Sequence, residues 1–497
     1  QRLPTRLQLW VKAFLPHPCF PGRCVLTSKG MKKGALRNAE KNRTATCPFA
    51  NTIATVAIQQ YRNVVQDIGG IQFQQTALAA FVLQIFEEEK ETEFLVASLG
   101  IGTKFLTKEK ILEDVEGECV RDMHAEVTAR RGFVSFLYEQ LEKCTEKEGS
   151  IVFDRDLSGN KFHLKTNVHI HFYTSSQPCG NACLKKFAKN RKEGDQYGTT
   201  SASICPDIAH APKSFSAVRE GEISLLLKGS PPASEGHAGR NRILSPTGTH
   251  FVSQANFEAS NSCVHTCSDK IARWNLLGLQ GSLLRHFIPG TIHMRSCTIG
   301  RKFGRPFSER ALCCRLQNIE MPTVNHPVLL CTSVKLDESV YEGANAGAVF
   351  AETRCIAWAY GSSGASMIDG ATGKQLDGSS SFISKRAFAQ RFEHIVKLLW
   401  RNGRTAGGDP DQSVPYDELK QLLETSYMDA KARLLSERGF NFRKASFRSS
   451  IGTWVRSPRC RSLMLKLPSS FVDDRRNTKT VSQLAAESRR KKRKLAE

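Results

Sequence analysis

The chain has 497 residues, with 71 Lys and Arg against 48 Asp and Glu and a formal charge of +23. That length holds one large domain or two to three ordinary ones, and the charge favours polyanionic partners, nucleic acid foremost. No apolar run reaches a membrane span, no signal-peptide core opens the chain, and the 16 scattered cysteines form no small-domain disulfide framework, so a soluble intracellular protein is expected.

Residues 1–50 carry a single acid, Glu40, among many Lys and Arg, and predict a disordered basic arm. Apolar residues recur at helical spacing from Ile53 to Tyr61 and again from Thr76 to Phe86, which predicts two packed helices. Phe94 to Ser98 predicts a strand, and Gly100-Ile101-Gly102-Thr103-Lys104 a glycine-rich turn of hairpin type, since no helix follows to hold a phosphate. Asp122-Met123-His124-Ala125-Glu126-Val127 then opens a helix ending near Cys144. Val127, Phe133, Phe136, Leu137 and Leu141 mark its apolar face, with Arg130 and Arg131 on a different side.

Asn167 to Tyr173 alternates as a strand, with Val168, Ile170 and Phe172 on one face and His169, His171 and Tyr173 on the other. The two histidines read as hydrogen-bonded polar residues rather than metal ligands. That strand leads into Ser176-Gln177-Pro178-Cys179-Gly180-Asn181. Residues 190–262 lose periodicity and read as a long insertion. At Cys267 a helix starts, capped by Ser268 or Asp269 and continuing through Leu284. Val328 to Cys331 and Cys355 to Tyr360 predict strands, Ala387 to Leu399 a helix, 400–415 a linker, and Tyr416 to Leu435 another helix. A polar tail over 461–497 ends in the basic run Arg489 to Lys494, read either as a solvated end or as a nuclear import signal, leaving nucleus and cytoplasm both open.

His124 and Glu126 place a metal ligand and a carboxylate at one helix mouth, the first half of a zinc nucleobase-deaminase pattern, and Pro178-Cys179 supplies the second. Hydrolysis of an exocyclic amine with zinc needs three protein ligands, an open position for water and a proton carrier. His124 and Cys179 offer two ligands, and Glu126 the carrier. For the third, Ala182 stands where a cysteine is common. Cys183 lies one residue beyond it, and Cys267 lies at a helix N-terminus that favours a thiolate. The physical argument prefers Cys267 and leaves Cys183 open.

The order His-Ala-Glu with Arg-Arg, then Pro-Cys-Gly, then Thr266-Cys267-Ser268-Asp269-Lys270-Ile271-Ala272-Arg273-Trp274-Asn275 and Leu277-Gly278-Leu279-Gln280-Gly281-Ser282 resembles the adenosine deaminases that act on tRNA and double-stranded RNA. The resemblance runs from about residue 53 to about 458, so the deaminase domain is expected over 51–460. It implies an α/β fold with a three-layer cytidine-deaminase-like core, a mixed central sheet and a C-terminal helical half. Residue by residue, it implies zinc on His124, Cys179 and Cys267 and a proton shuttle at Glu126. It further implies buried inositol hexakisphosphate, held by Arg130, Arg131, Lys270, Arg273, Trp274, Gln280, Ser282, Lys385, Tyr427, Lys431 and Trp454.

Three places depart from the family pattern: Asn181 where Asp is usual, Arg121 before Asp122, and Arg456-Ser457 after Trp454-Val455. The short, irregular N-terminal arm points to the tRNA-acting branch, which implies conversion of the adenosine just 3′ of the anticodon of alanine tRNA, position 37, to inosine. An anticodon loop presents bases that flip at low cost. The alternatives are an editor of duplex or messenger RNA with the same chemistry, and an inactive RNA-binding homologue, whose mark would be loss of any of the four site residues. No obligate protein partner is expected.

Overall fold

A mixed sheet of seven strands forms the middle layer of the protein. The computed structural model describes residues 47–405 apart from 72, 74–75, 88–90, 147, 157–160, 184–225, 229–248, 252–261, 317–323 and 337–352. The first part of the chain contributes α1 (Pro48–Asp67), β1 (Leu78–Ile85), β2 (Glu93–Ile101), β3 (Thr103–Phe105), α2 (Lys108–Glu113), β4 (Asp122–His124) and α3 (Ala125–Thr145). There follow β5 (Phe153–Arg155), β6 (Phe162–Leu164), β7 (Val168–Ser176), β8 (Leu226–Lys228) and β9 (Thr249–Phe251). The remainder supplies α4 (Cys267–Leu277), α5 (Gly281–Leu284), β10 (Ser296–Arg301), α6 (Arg305–Leu312), β11 (Val328–Cys331), β12 (Arg354–Ala359), β13 (Ser366–Asp369) and α7 (Lys385–Thr405). The sheet runs β11-β10-β7-β1-β2-β12-β13. Its β7, β10 and β11 are parallel, and its other neighbours antiparallel.

The stretch from Thr76 to Phe86, predicted helical, is instead the central strand β1. Its apolar residues serve both faces: Ala79, Phe81, Leu83 and Ile85 join the core on one side, and Leu78, Ala80 and Val82 join the core on the other. A strand covered on both faces reads as a continuous apolar run, which periodicity cannot separate from a buried helix. Helix α1 covers the second face with Ile53, Ala57 and Tyr61. It begins at Pro48, a residue suited to the first helical turn, so the last residues of the predicted arm belong to it. Helix α3 covers the first face, and Phe133 stacks on Phe81 at 4.8 Å between ring centroids. Helix, sheet and helix make the three expected layers.

Gly100 sets how closely α3 lies on the sheet. A Cβ there would come 2.4 Å from Ala129 N and 2.5 Å from Ala125 O. Gly100 and Ile101 are strand residues, so the predicted turn is narrower than expected. It rests on Gly102 at φ 143°, whose carbonyl receives the first amide of α3, Ala125 N, at 2.9 Å. The helix from Cys267 stops at Leu277 rather than Leu284, because Gly278 adopts φ 87° and a Cβ would meet Gln280 Oε1 at 2.5 Å. Helix α7 packs on α3, with Tyr138 and Phe388 stacked at 6.1 Å, and runs to Thr405, into the predicted linker. The predicted helix Tyr416 to Leu435 and the basic tail lie outside the described residues. Among the described residues, no helix is long and apolar enough to cross a membrane.

Candidate metal centre and active site

Two helix starts and one loop bring the candidate ligands together. His124 is the last residue of β4, paired with Thr103 of β3, and its extended φ −61°, ψ 141° makes it the N-cap of α3. Cys267 is the first residue of α4, after an extended Thr266. Cys179 lies in the loop after β7, which Ser268 fastens to α4: its Oγ donates to Cys179 O at 2.7 Å, and its backbone N donates to the same oxygen at 3.0 Å. Gly180 allows the approach. Its φ is 95°, and a Cβ would strike Thr266 Oγ1 at 2.2 Å.

His124 Nδ1 lies 3.7 Å from Cys179 Sγ and 3.4 Å from Cys267 Sγ, and the three donor atoms all lie within 4.8 Å of one another. A tetrahedral zinc about 2.3 Å from sulfur and 2.0–2.1 Å from nitrogen would separate S and N by about 3.5 Å. The donors therefore fit that ion. Of the two thiols Cys179 is the more acidic, because it accepts a hydrogen bond from Cys267 and faces Lys228 and His124, whereas burial pushes Cys267 up. The Cys183 thiol instead donates to the carbonyls of Gln177 and Pro178, at 3.6 and 3.2 Å, and is absent from the cluster.

Glu126 occupies the first turn of α3 with its Oε2 3.3 Å from Cys267 Sγ. Burial raises its carboxyl above the ordinary range, and the neighbouring Cys179 thiolate adds to the shift. A carboxylate so placed holds a proton more readily than one in water, as a proton carrier must.

Behind the ligands lies an ionic network that sequence reasoning missed. Lys228, fully buried, donates to both Asp122 carboxylate oxygens at 2.8 and 2.9 Å and lies 3.6 Å from Cys267 Sγ. Lys270 of α4 pairs with the same carboxylate. Burial opposes the charge on Asp122, but the two ammonium groups outweigh it and hold the carboxyl below its ordinary range. On Lys228 burial again opposes the charge, and Asp122 with the two thiols keeps the ammonium protonated. Sequence offers one faint signal for Lys228, the apolar run Leu225-Leu226-Leu227 ending on a lysine within an otherwise polar segment. The departure at Arg121 also has a partner: its Nε donates to Asp114 Oδ2 at 3.0 Å, both side chains buried.

The expected anion-site residues divide. Arg130 Nε donates to Leu279 O at 2.8 Å, with its guanidinium 6.0 Å from the Trp274 ring centroid. Arg131 Nε donates to Ile383 O at 2.6 Å, two residues before Lys385 begins α7. Arg273 lies on α4 and Ser282 on α5, both half-buried. These cations, from three helices, suit a polyphosphate in donor chemistry. Gln280 has another duty, since its amide bridges Gly290 O and Ile292 N at 2.6 and 3.0 Å. Lys270 is engaged by Asp122. Tyr427, Lys431 and Trp454 lie outside the described residues. His171 bonds Ser296 Oγ at 2.8 Å and Gln84 Oε1 at 3.0 Å, a hydrogen-bonded role as expected.

A family model described as the adenosine-deaminase (editase) domain matches residues 98–458. The chain is 28% identical over 484 residues to the double-stranded RNA-specific editase B2 of Rattus norvegicus, covering 90% of this chain and 57% of that protein. It is 27% identical over 414 residues to the double-stranded RNA-specific adenosine deaminase of Mus musculus, covering 78% and 30%. With the tRNA-specific adenosine deaminase 1 of Drosophila melanogaster it shares 28% over 258 residues, 50% of this chain and 54% of the relative. The chain thus spans less than two thirds of the length of each of these relatives.

Proposed function

Since the chain belongs to the adenosine-deaminase (editase) domain family, we propose that it hydrolyses adenosine to inosine in RNA, with zinc held by His124, Cys179 and Cys267 and with Glu126 as the catalytic proton carrier. The observation that carries this reading is the convergence of one imidazole and two thiols within 4.8 Å, with the Glu126 carboxylate 3.3 Å from one of them. Zinc held there would supply the Lewis acidity that hydrolysis at C6 of a flipped adenine needs. Glu126 takes the water's proton on its carboxylate and returns it to the departing ammonia, so that water and adenosine leave as inosine and ammonia. Lys228, itself held by Asp122, supports the Cys267 ligand from behind. Arg130, Arg131, Arg273 and Lys385 are the residues that would hold inositol hexakisphosphate, whose charge would draw α3, α4 and α7 together.

Within RNA, the proposed substrate is the adenosine at position 37 of alanine tRNA, supported by an anticodon loop whose unstacked bases cost little to flip and by a charge of +23 suited to a phosphate surface. A second reading, editing of duplex RNA, is favoured by the longer match to the double-stranded RNA enzymes, 90% of the chain against 50%. Purified protein incubated with an alanine tRNA transcript and with a long RNA duplex, followed by nucleoside mass spectrometry, tests both. Inosine in the tRNA supports the first, inosine confined to the duplex selects the second, and inosine in neither refutes the activity.

A further inference from the structure

Beside the loop that carries Cys179, a second strand leaves the sheet into a segment crowded with cations. Strand β10 ends at Arg301, level with Ser176 at the end of the parallel β7, and neighbouring strands lie about 4.8 Å apart. Residues 302–304 and the Cys179 loop therefore leave the same edge of the sheet side by side. Gly300 permits the closeness, since a Cβ there would come 2.4 Å from Ser175 O. Gln177 N donates to Arg301 O at 3.0 Å. Helix α6 then grips the Cys179 loop at two further points: Gln177 Nε2 donates to Ser308 Oγ at 2.7 Å, and Arg310 donates to Asn181 O at 2.8 Å.

We propose that this segment holds phosphates of the RNA strand flanking the reactive adenosine, with Lys302 and Arg305 as the contacting cations. The inference rests on the RNA deaminase reading above and adds a surface to it. Arg301, Lys302, Arg305 and Arg310 stand here against one acid, Glu309. Lys302 is exposed, and its φ of 57° is the one positive φ outside glycine among the described residues. Glycine would take that backbone without steric cost, so packing gives no reason for a lysine, and outliers of this kind gather at binding sites. Two of the guanidinium groups lie against aromatic rings, Arg305 at 5.6 Å from the Phe303 centroid and Arg310 at 6.0 Å from that of Phe307. A ring contact restricts a long side chain to one direction before it binds, and the arginine fork matches phosphate.

The partners of the four cations divide their work. Arg310 is buried and held by Asn181 O, and Arg301 donates to Leu336 O at 3.3 Å, so both serve the fold. Arg305 is half-buried, and Glu309 Oε1 stands 3.7 Å from it, too far for a hydrogen bond, which leaves its donors open to a stronger acceptor. Lys302 reaches solvent. The pair lies one strand over from Cys179, beside the metal pocket rather than over it. It therefore meets the phosphates of a neighbouring nucleotide and not the base that is deaminated. Such contacts fix the strand without reading its sequence, and a fixed backbone is what a base must turn about when it flips into a pocket.

Binding of the full-length chain carrying Glu126→Gln to a labelled alanine tRNA transcript and to a labelled long RNA duplex, over a range of salt, tests the contact without turnover. Adding Lys302→Gly removes the charge and relieves the backbone. That protein should melt no lower than its parent, yet the slope of log Kd against log salt should become shallower by about 0.7–0.9, the value for one lost phosphate contact. Lys302→Gly with Arg305→Gln should make it shallower by about 1.4–1.8 and weaken binding about tenfold, with zinc content unchanged. A loss confined to one of the two RNAs also supports the contact and identifies the RNA that passes it. Failure of the wild type to form inosine refutes the activity and leaves these binding results to decide the contact by themselves. A double variant with the slope and affinity of its parent on both RNAs overturns the proposal, as does a parent that binds neither.

Discussion

Replacing Lys228 by Met tests whether the ionic network serves the metal ligands. Methionine keeps most of the apolar stem and removes the ammonium. Lys228 Nζ lies 3.6 Å from Cys267 Sγ, and a unit charge at that distance with an effective dielectric near 20 favours the thiolate by about 4–5 kcal/mol. A bound metal ion supplies much of the same stabilisation once in place, so the residue in zinc affinity should be about 10–100-fold, as for other groups that support ligands from behind. Breaking a buried ion pair costs about 3–5 kcal/mol. Because Lys270 still pairs with Asp122, the loss of stability belongs at the low end of that range. Zinc competition against a chromophoric chelator, with a thermal melt at saturating zinc, measures both. A variant that melts normally and binds zinc within twofold of wild type would refute the argument.

Glu126→Gln should keep zinc and RNA binding while inosine formation falls by at least about 10²–10⁴-fold, and normal turnover, measured on the same RNA, would remove Glu126 from its role. Cys183→Ala is expected to retain zinc and Cys267→Ala to lose the active-site ion, read by metal analysis, with the reverse result moving the third ligand to Cys183. Gly180→Ala should weaken zinc binding sharply, since its Cβ would collide with Thr266 Oγ1 and lever the Cys179 loop off α4; isothermal titration showing wild-type affinity would contradict this. Burial lowers His171 to about 3, with His169 and Arg295 adding to the shift, against about 6.5 unfolded. A depressed histidine leaves stability whole above about pH 6.5 and draws it down as pH falls towards 3. Between pH 7 and pH 5 the loss from this group is about 2 kcal/mol. Urea unfolding of wild type and His171→Gln at the two pH values should show a smaller pH dependence in the variant, and equal dependence would assign the loss elsewhere.

What could be read from the chain in advance follows from how far apart in sequence the interacting groups lie. Helix α3 was legible because Phe133, Phe136, Leu137 and Leu141 are buried as their spacing requires, and β7 because its two faces differ in polarity. The central strand β1 was not, since apolar residues cover both its faces and the alternation that marks a strand disappears. Strand β10, Ser-Cys-Thr-Ile-Gly-Arg, alternates only over Cys297 and Ile299, too short a run to mark a strand, and its place in the sheet depends on the parallel neighbours β7 and β11. The candidate ligands were legible through the order of the His-Ala-Glu, Pro-Cys-Gly and Cys-Ser-Asp-Lys motifs that the family resemblance rests on, while the helix-dipole argument, which acts within one turn of the chain, only preferred Cys267 to Cys183. Their support was hidden because Lys228 meets Asp122 across 106 residues and belongs to a strand of three residues, too short for any period. The pairing creates the signal: a lysine fully removed from water is tolerable only beside compensating anions, and a carboxylate and two thiols are the groups that the fold gathers around it.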